Sequence, residues 1–443
     1  MSERSIADSI PTAATAAAAT AAAATAAAAP SQADIKRAAP ELWAVAWRNI
    51  MRTKRRTWLT ASGIAFAILL MSLMRSLQVG AFIGAVDNSA RIMLGHIQLQ
   101  HPDYEDDPTI ENSIRNIHEI IADVESRPHV EVVSARAQSF ALTSSGERSF
   151  GAQIIGVQYE KEAVWSSLTT MEVEGRYIER PGEAFIGSAL ARNLGIVIGD
   201  EMVVLGTAVE GGVAALVAEV VGTYTSGQPE LDRTIVQVPL PDFQSAWELA
   251  ADEAHIITVI AESVAASEEL APQLSRADVR SLNWRALQPE MVQMMELKLV
   301  GTYVLFILVA IIVIFSVVNS FMMIIFERTP EFGMLMAIGM RPHHIIIQLQ
   351  IEALLVCLLG IIIGLAVAAV GIGILSETGI ALPAQAEELV KGMAFPDRMY
   401  PQFSLNAMYI AIPVMLLGTQ LAALIPGLRL RHMHAVEALR AAE

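Results

Sequence analysis

The sequence has little charge and almost no cysteine. Only 17% of its 443 residues are charged, 53% are hydrophobic, and the mean hydropathy is +0.46. Soluble globular domains rarely reach such a composition, so we expect a membrane protein. The single cysteine, Cys357, lies inside an apolar stretch, which excludes an intrachain disulfide. Any polar domain must therefore fold around its own apolar core.

The sequence also lacks the motifs of common catalytic sites. It contains no Gly-x-x-x-x-Gly-Lys-Ser/Thr phosphate loop, no His-Glu-x-x-His zinc motif and no Gly-x-Ser-x-Gly elbow. We interpret two loose histidine pairs, His343 with His344 and His432 with His434, as titratable side chains at the level of the lipid headgroups rather than metal ligands. We therefore expect no enzyme active site, no metal and no cofactor in this chain.

Long apolar runs are abundant instead. Four stretches have the length and composition of membrane-spanning helices: 58–80, 299–326, 345–376 and 406–427. Shorter segments follow the second, third and fourth of them, at 327–344, 377–405 and 428–443. The predicted fold class is therefore membrane α-helical, with four transmembrane helices and a large α+β domain, residues 81–298, inserted between the first and the second.

The distribution of charge predicts the orientation. Five basic residues crowd the approach to the first span: Arg48, Arg52, Lys54, Arg55 and Arg56. By the positive-inside rule they place the N-terminus in the cytoplasm, and four crossings return the C-terminus there. Residues 81–298 then lie outside. They carry more than twice as many Asp and Glu as Lys and Arg, which argues against nucleic-acid binding. Because no cleavable signal peptide is evident, we expect the first span to act as its own signal anchor.

The segment before the first span divides into two parts. Residues 1–40 are rich in Ala and Thr, which predicts a disordered or transiently helical tail. Residues 41–57 place apolar side chains on one helical face and cations elsewhere, which predicts an amphipathic helix on the inner leaflet. The apolar face comprises Leu42, Trp43, Ala46, Trp47, Ile50 and Met51.

Hydrophobic periodicity predicts two helical stalks and an α/β core for residues 81–298. Apolar residues recur at helical spacing after the first span, from Leu77 to Met93, and before the second, from Leu287 to Leu297. Seven strands are predicted: 95–100, 130–142, 150–157, 201–206, 215–225, 234–240 and 255–261. Three helices are predicted between the stalks: 114–126, 189–196 and 240–250. Two subdomains are expected, divided near residues 160 and 250.

The connection after the second span is unusual. The stretch FERTPEFGMLMAIGMRPHH, residues 326–344, opens with charges and a proline, as a loop does, and then carries almost only apolar side chains. It is too apolar for an exposed loop and too short to span a bilayer. The pattern indicates a surface that binds a partner or lies in lipid.

Small and polar residues within the spans predict helix contacts. Gly360 and Gly364 are four residues apart in the third span, as are Gly418 and Ala422 in the fourth. These spacings predict close packing of the third and fourth helices. Glu352 in the third span is expected to pair with a nearby cation such as Arg341.

Taken together, these segments resemble the four-helix permeases of ATP-binding-cassette transporters, the type that includes the lipoprotein-releasing complex, the MacB macrolide exporter and the FtsX-like proteins. The resemblance runs from about residue 41 to the C-terminus. It is carried by AWRNIMRTKRRTWLTASGIAFAI at the first span and ERTPEFGMLMAIGMRPHHI after the second. The domain sequence VEGRYIERPGEAFIGSALARNLGIVIGDEMVVLG and the tail HAVEALR add more diffuse support. A permease of this type lies in the bacterial inner membrane with a periplasmic domain.

The resemblance implies partners for the apolar connection. In that family this segment is a coupling helix seated in a groove of a separate ATPase subunit, so residues 331–340 are expected to form a short docking helix. The expected contact residues are Glu331, Phe332, Gly333, Met334, Leu335, Met336, Ile338 and Gly339. Because this chain has no phosphate loop, ATP and Mg would be bound by an ATPase dimer. A second permease, identical or homologous, would complete the pathway.

The resemblance also implies a substrate. The preferred interpretation is a lipoprotein-releasing permease, since GHIQLQHPDY at residues 95–104 is similar to those members. It would lift a lipidated substrate from the outer leaflet towards a periplasmic lipoprotein carrier. The expected substrate cavity is lined by Ile64, Ile68, Met71, Met74, Tyr303, Ile307, Ile311 and Phe315. Two alternatives stay open: a MacB-like exporter with a periplasmic adaptor, and an FtsX-like protein that activates a cell-wall hydrolase.

Overall fold

The computed structural model describes residues 43–381, 398–403 and 411–429. The predicted Ala/Thr-rich tail and nearly all of the C-terminal tail lie outside the described residues. The chain divides into two compact units. The membrane-helix unit comprises Met1–Leu69, Leu308–Leu365 and Ala411–Glu443, and the domain unit comprises Leu70–Ile307 and Ala366–Ile410.

Four helices in the described part of the chain are long and apolar enough to cross a membrane. They are α1 (Lys54–Ser89), α9 (Pro289–Ala337), α10 (Pro342–Thr378) and α11 (Ala411–Arg429). A single π-helical turn, Ala90–Leu94, follows α1. The prediction of four spans with a large domain between the first and the second is confirmed.

A short helix precedes α1. Residues 43–52 are helical and Thr53 forms a turn; we call residues 43–52 the juxtamembrane helix. On its predicted apolar face, Ala46 and Ile50 are buried, whereas the two tryptophans and Met51 are exposed. Exposed aromatic and apolar side chains beside a basic segment suit the predicted contact with a lipid surface.

The domain unit contains ten strands in one hydrogen-bonded sheet. The strands are β1 (Ile97–Gln100), β2 (Val130–Ser145), β3 (Arg148–Val157), β4 (Glu172–Gly175), β5 (Glu183–Gly187), β6 (Glu201–Thr207), β7 (Val213–Thr225), β8 (Ile235–Pro239), β9 (Ile256–Ala261) and β10 (Arg280–Asn283). A small additional pair joins β11 (Ile380–Ala381) to β12 (Arg398–Met399). All seven predicted strands are confirmed. The two expected subdomains share this one sheet.

Six of these strands close into a ring. β2 pairs with β3, β3 with β8, β8 with β5, β5 with β7, β7 with β6, and β6 returns to β2. The ring can close because the 16 residues of β2 pair along one edge first with β9 and then with β6. Met202 and Val204 of β6 are buried in the apolar core together with Trp247.

Seven helices complete the domain unit. They are α2 (Ile117–Glu125), α3 (Tyr159–Trp165), α4 (Ser188–Leu194), α5 (Pro229–Thr234), α6 (Leu240–Trp247), α7 (Val264–Leu274) and α8 (Trp284–Leu287). The three helices predicted between the stalks correspond to α2, α4 and α6. Helix α6 packs against β2, β3, β7 and β8 of the ring.

The two predicted stalks pack against each other within the domain unit. Val86 of α1 lies in a small apolar cluster with Trp284 and Val264, and Met291 and Met295 of α9 pack against that cluster. Because methionine side chains are flexible, they fill the irregular space between two such helices.

Candidate functional site: the α9–α10 connection and the Glu352 network

The connection between α9 and α10 is a glycine-capped turn. Gly339 has φ +105°, a backbone conformation that L-residues with a side chain rarely adopt. The N–H of Met340 donates to the carbonyl of Leu335 at 2.9 Å, and the N–H of Gly339 donates to that of Met336 at 3.1 Å. This pair of bonds is a Schellman motif, which ends α9. Pro342 then begins α10, where a proline is well tolerated.

The structure differs from the expected separate docking helix. Helix α9 continues through Pro330 to Ala337 without a break, so residues 331–337 are its last two turns. A proline removes one backbone donor and usually ends or bends a helix. Here the helix continues, and Thr329 Oγ1 donates to the carbonyl of Ile325 at 2.7 Å. The charges and proline that indicated a loop therefore lie within a helix.

One face of this helical end is turned into the protein. Phe332 is 1% exposed, and Gly333 is also buried. The guanidinium of Arg328 lies 5.3 Å from the centre of the Phe332 ring, within the range of a cation–π contact. Leu335 and Met336 are half-buried. Phe332 and Gly333 therefore anchor the segment and are not free to contact a partner.

The opposite face is exposed. Met334 is 58% and Ile338 79% exposed, and the Glu331 carboxylate is also largely in solvent. These residues stand at positions i, i+3 and i+7 and share one face of the helical end. We call Glu331, Met334 and Ile338 the docking face, after the role that the resemblance implies for this segment. It is narrower than the eight residues predicted from the sequence.

A buried carboxylate, that of Glu352, lies close to the C-terminal end of α9. Glu352 of α10 is 5% exposed, and three groups donate to its Oε1. Asn49 Nδ2 of the juxtamembrane helix lies 2.6 Å away, Arg328 Nη1 of α9 3.3 Å, and Gln348 Nε2 of α10 3.3 Å. Arg341 was the cation expected from the sequence to pair with Glu352, whereas the observed ion pair is with Arg328.

A second ion pair lies on the same side of the unit. Arg56 Nη1 donates to Glu327 Oε2 at 3.0 Å, and Arg56 Nη2 donates to the carbonyl of Ser320. Thr60 and Ser320 exchange a hydrogen bond at 2.9 Å. These residues line a cavity of about 390 Å³ together with Asn49, Arg328 and Glu352. This polar network was not predicted from the sequence, although the arginines near the first span and the adjacent Glu327 and Arg328 after the second span were a signal.

Two glycines set the packing of α10. A Cβ at Gly360 would lie 2.8 Å from Ile64, and one at Gly364 would lie 2.8 Å from Ile68. The pair therefore packs α10 against α1, and not against the fourth helix as predicted. Gly418 of α11 faces Ile314 of α9 in the same way. Small residues permit close approach of helices, as expected, but the partner helices are different.

The predicted substrate-cavity residues separate into two groups. Ile64, Ile68 and Met71 are at most 1% exposed. Since Ile64 and Ile68 contact the glycines of α10, they serve helix packing within this chain, which differs from the predicted cavity lining.

The residues on α9 behave differently. Tyr303, Ile307, Ile311 and Phe315 are all exposed, and Met74 of α1 is half-buried. The α9 side of the predicted lining is therefore not covered by other described parts of this chain.

Two apolar cavities lie beside the packed stalks. One, of about 530 Å³, is lined by Phe82, Met291 and Met294 among others. The other, of about 590 Å³, is lined by Ile83, Trp284 and neighbouring side chains. Both have the size of small-molecule sites and mainly apolar walls.

The outer face of the ring carries an apolar patch that the sequence analysis missed. Leu142 of β2 lies opposite Leu205 of β6, and Val203 of β6 lies opposite Val217 of β7. These four side chains are exposed, as is Phe140 of β2. We call these five residues the ring patch. The alternation of side chains along the three strands was the signal that could have placed them on one face.

Two family models match the chain. The MacB-like periplasmic core domain matches residues 57–277, and the FtsX-like permease C-terminal model matches residues 303–435. The chain belongs to the MacB/FtsX family of four-helix permeases. It is therefore a permease subunit of an ABC transporter and a multi-pass inner-membrane protein with a periplasmic domain. Permeases of the MacB/FtsX family work with an ABC ATPase partner.

Solved structures match the domain of this MacB/FtsX permease. The extracellular domain of the noncanonic ABC-type transporter YknZ from Gram-positive bacteria is 17% identical, with a TM-score of 0.31, and the match covers 42% of this chain and 99% of that one. The periplasmic region of MacB from Actinobacillus actinomycetemcomitans is 12% identical, with a TM-score of 0.33, and covers 45% and 94%. No curated protein matches significantly. The family assignment rests on the two family models.

Proposed function

We propose that this permease couples ATP hydrolysis by a separate ATPase subunit to the extraction of a lipidated substrate from the outer leaflet of the inner membrane. Both termini would lie in the cytoplasm, and the ATPase dimer would bind ATP and Mg. The observation that supports this best is the docking face. Its two apolar side chains are held in solvent by a helix end that Gly339 caps and Phe332 anchors. Burying them in a partner's groove would be favourable.

The docking proposal is tested by a change at its most exposed residue. Ile338→Asp should abolish co-purification of the ATPase subunit, because it places a charge in an apolar contact, while the permease stays folded in the membrane. Val164→Asp is the matched control. Val164 is 71% exposed and lies on α3 of the periplasmic domain, so ATPase binding should be unchanged. Unaltered binding to Ile338→Asp would contradict the docking assignment.

The lipidated substrate is supported by two apolar features. Helix α9 exposes a stripe along its length that includes Tyr303, Ile307 and Phe315, and the two stalk cavities have mainly apolar walls. An acyl chain leaving the bilayer needs such a surface, because each CH₂ exposed to water costs about 0.8 kcal/mol. A second permease, identical or homologous, would supply the other half of this route.

Reconstitution tests the substrate. The permease and its ATPase are placed in liposomes with a radiolabelled lipoprotein, and release to a soluble carrier is measured with ATP. We expect ATP-dependent release of the lipoprotein and none of the same protein without its lipid. If ATP released no lipoprotein while a cell-wall hydrolase became active, the FtsX-like alternative would replace this proposal.

The exposed ring patch supports the proposal that the domain contacts a periplasmic protein. For a lipoprotein-releasing permease this partner would be a lipoprotein carrier. Isolated exposed apolar residues are common, whereas a contiguous apolar sheet face usually marks a contact site. The domain is acidic, so the carrier's contact surface should be apolar with basic residues around it. Leu205→Asp should reduce release to the carrier and leave ATPase binding unchanged. Equal release by Leu205→Asp and the wild type would contradict this contact.

A further inference from the structure

A chain of polar contacts runs from the docking face to the juxtamembrane helix. Arg328 Nε donates to the exposed carboxylate of Glu331 at 2.9 Å, and Arg328 Nη1 donates to the buried carboxylate of Glu352 at 3.3 Å. Asn49 then donates to Glu352 at 2.6 Å. Arg328 thus joins two carboxylates, one in solvent and one enclosed by helices.

Placing the Glu352 carboxylate within a membrane helix costs free energy, so we looked for what the carboxylate contributes in return. It lies within α10, whose sequence is otherwise mostly apolar, and a carboxylate inside a membrane helix is unfavourable unless it is paired and hydrogen-bonded. Close packing of α10 against α1 needs only the two glycines and their apolar neighbours. The carboxylate accepts hydrogen bonds from Asn49 and Arg328 at the same time, which an apolar side chain cannot do.

We propose that Glu352 is a positioning residue that makes the C-terminal end of α9, the juxtamembrane helix and the start of α10 move as one body. The inference rests on the proposed docking of an ATPase. A partner that engages Glu331, Met334 or Ile338 displaces the end of α9. Arg328 transmits that displacement to Glu352, and Glu352 transmits it to Asn49. Without Glu352 the ATPase still docks, but the juxtamembrane helix no longer follows.

The first test needs neither ATPase nor substrate. Cys357 is buried and is the only cysteine, so spin labels can be placed at Trp47→Cys and Met340→Cys in a Cys357→Ser chain held in lipid nanodiscs. We expect a narrow distance distribution between the labels. Glu352→Ala should broaden it at least twofold, and Glu352→Gln, which retains an acceptor for Asn49, should broaden it less. An unchanged distribution in Glu352→Ala would overturn the proposal.

A double-mutant cycle separates this link from a general loss of stability. Arg328→Ala and Glu352→Ala break the same Arg328–Glu352 connection, so the double variant should broaden the distribution by less than the sum of the two single effects. Glu327→Ala is the control. It removes the partner of Arg56, which makes no described contact with Glu352, and its effect should add to that of Glu352→Ala. Additive effects of Arg328→Ala and Glu352→Ala would contradict the link.

The second test measures coupling with the ATPase subunit that co-purifies with the wild-type chain. Glu352→Ala should retain ATPase binding and ATP hydrolysis but release about tenfold less lipoprotein per ATP. Equal release per ATP by variant and wild type would overturn the proposal. If the wild type itself released no lipoprotein, the proposed substrate would be wrong, and the spin-label distances would still decide the role of Glu352.

Discussion

Two buried carboxylates, one in each unit, show how similar ion pairs serve different purposes. In the periplasmic domain, Glu162 of α3 accepts from Arg136 of β2, and Arg136 also donates to the carbonyl of Met93 and lies over the Trp165 ring. In the membrane-helix unit, Glu352 accepts from Arg328 and Asn49. Each cluster joins three segments of the chain.

The two clusters differ in their access to solvent. Glu162 is 0% and Arg136 3% exposed, so nothing outside the domain can reach them. Burial raises the pKa of the Glu162 carboxyl, and the neighbouring Arg136 opposes that rise. The Glu352 cluster instead ends at the exposed Glu331 through Arg328. A closed cluster can only stabilise the fold, whereas an open one can respond to a partner.

The largest expected effect is a loss of domain stability when the closed cluster, Glu162 with Arg136, is broken. Glu162→Ala leaves Arg136 buried without a counter-charge, which should destabilise the domain by about 3–5 kcal/mol. Hydrogen exchange of the full-length chain should show faster exchange in β2 and α3. ATPase docking should not change, because the docking face lies in the other unit.

Glu160→Ala is the matched control for this prediction. Glu160 lies on the same helix but is exposed, so its removal should change stability by less than about 0.5 kcal/mol. A similar loss in both variants would mean that α3 itself, and not the buried pair, is the sensitive element. The contrast between closed and open clusters would then have no basis.

An intermediate effect is expected at Glu183, whose contacts are partly open to solvent. Arg176 donates to its carboxylate, as do the backbone N–H groups of Glu179 and Arg180. These bonds, the Arg176 bond first, lower its pKa from 4.5 to about 2. A lowered carboxyl pKa stabilises the fold above pH 4.5, and that stability is lost as the pH falls towards 2.

Because Arg180 is largely exposed, we expect the Glu183 contribution to be about 1–2 kcal/mol after solvent screening. Urea unfolding of the full-length chain between pH 6 and pH 3 measures it. Glu183→Gln should be less stable at pH 6 and should lose less stability on acidification. An identical slope in the wild type and in Glu183→Gln would assign the acid sensitivity to other carboxyl groups.

Hydrophobic periodicity predicted the longer helices and strands, because their buried side chains recur at regular spacing along the sequence. The four spans and all seven predicted strands have long apolar or alternating patterns. Strand β5 was missed although all five of its residues are buried, because EAFIG is short and begins with the carboxylate of Glu183. The helix α7 was missed because Pro272 lies inside it. In both elements, tertiary contacts outweigh a local signal that points elsewhere.

The candidate site was predicted only in part, because the sequence shows which side chains are apolar but not which way each one points. The apolar run after the second span was identified, but which of its side chains face inwards depends on the continuation of α9 through Pro330. The partners of Glu352 come from residues 49 and 328, far apart in the chain, and spacing cannot reveal such contacts. The glycine pairs predicted close packing correctly but not the helix that they approach.

The last expected effect is no larger than that at Glu183 and concerns the turn that presents the docking face. Gly339→Ala forces a side chain into a backbone conformation with φ +105°, at a cost of about 1–2 kcal/mol, which loosens the cap beside Ile338. ATPase affinity, measured by titration into nanodiscs, should fall about 5- to 30-fold. Gly301→Ala is the matched control, because Gly301 lies within α9, away from the capped turn, with nothing within 4 Å of an added Cβ. Its affinity should equal that of the wild type. If Gly339→Ala also bound like the wild type, the open cluster would not depend on the capped turn, and docking would have to use residues of α9 that precede it.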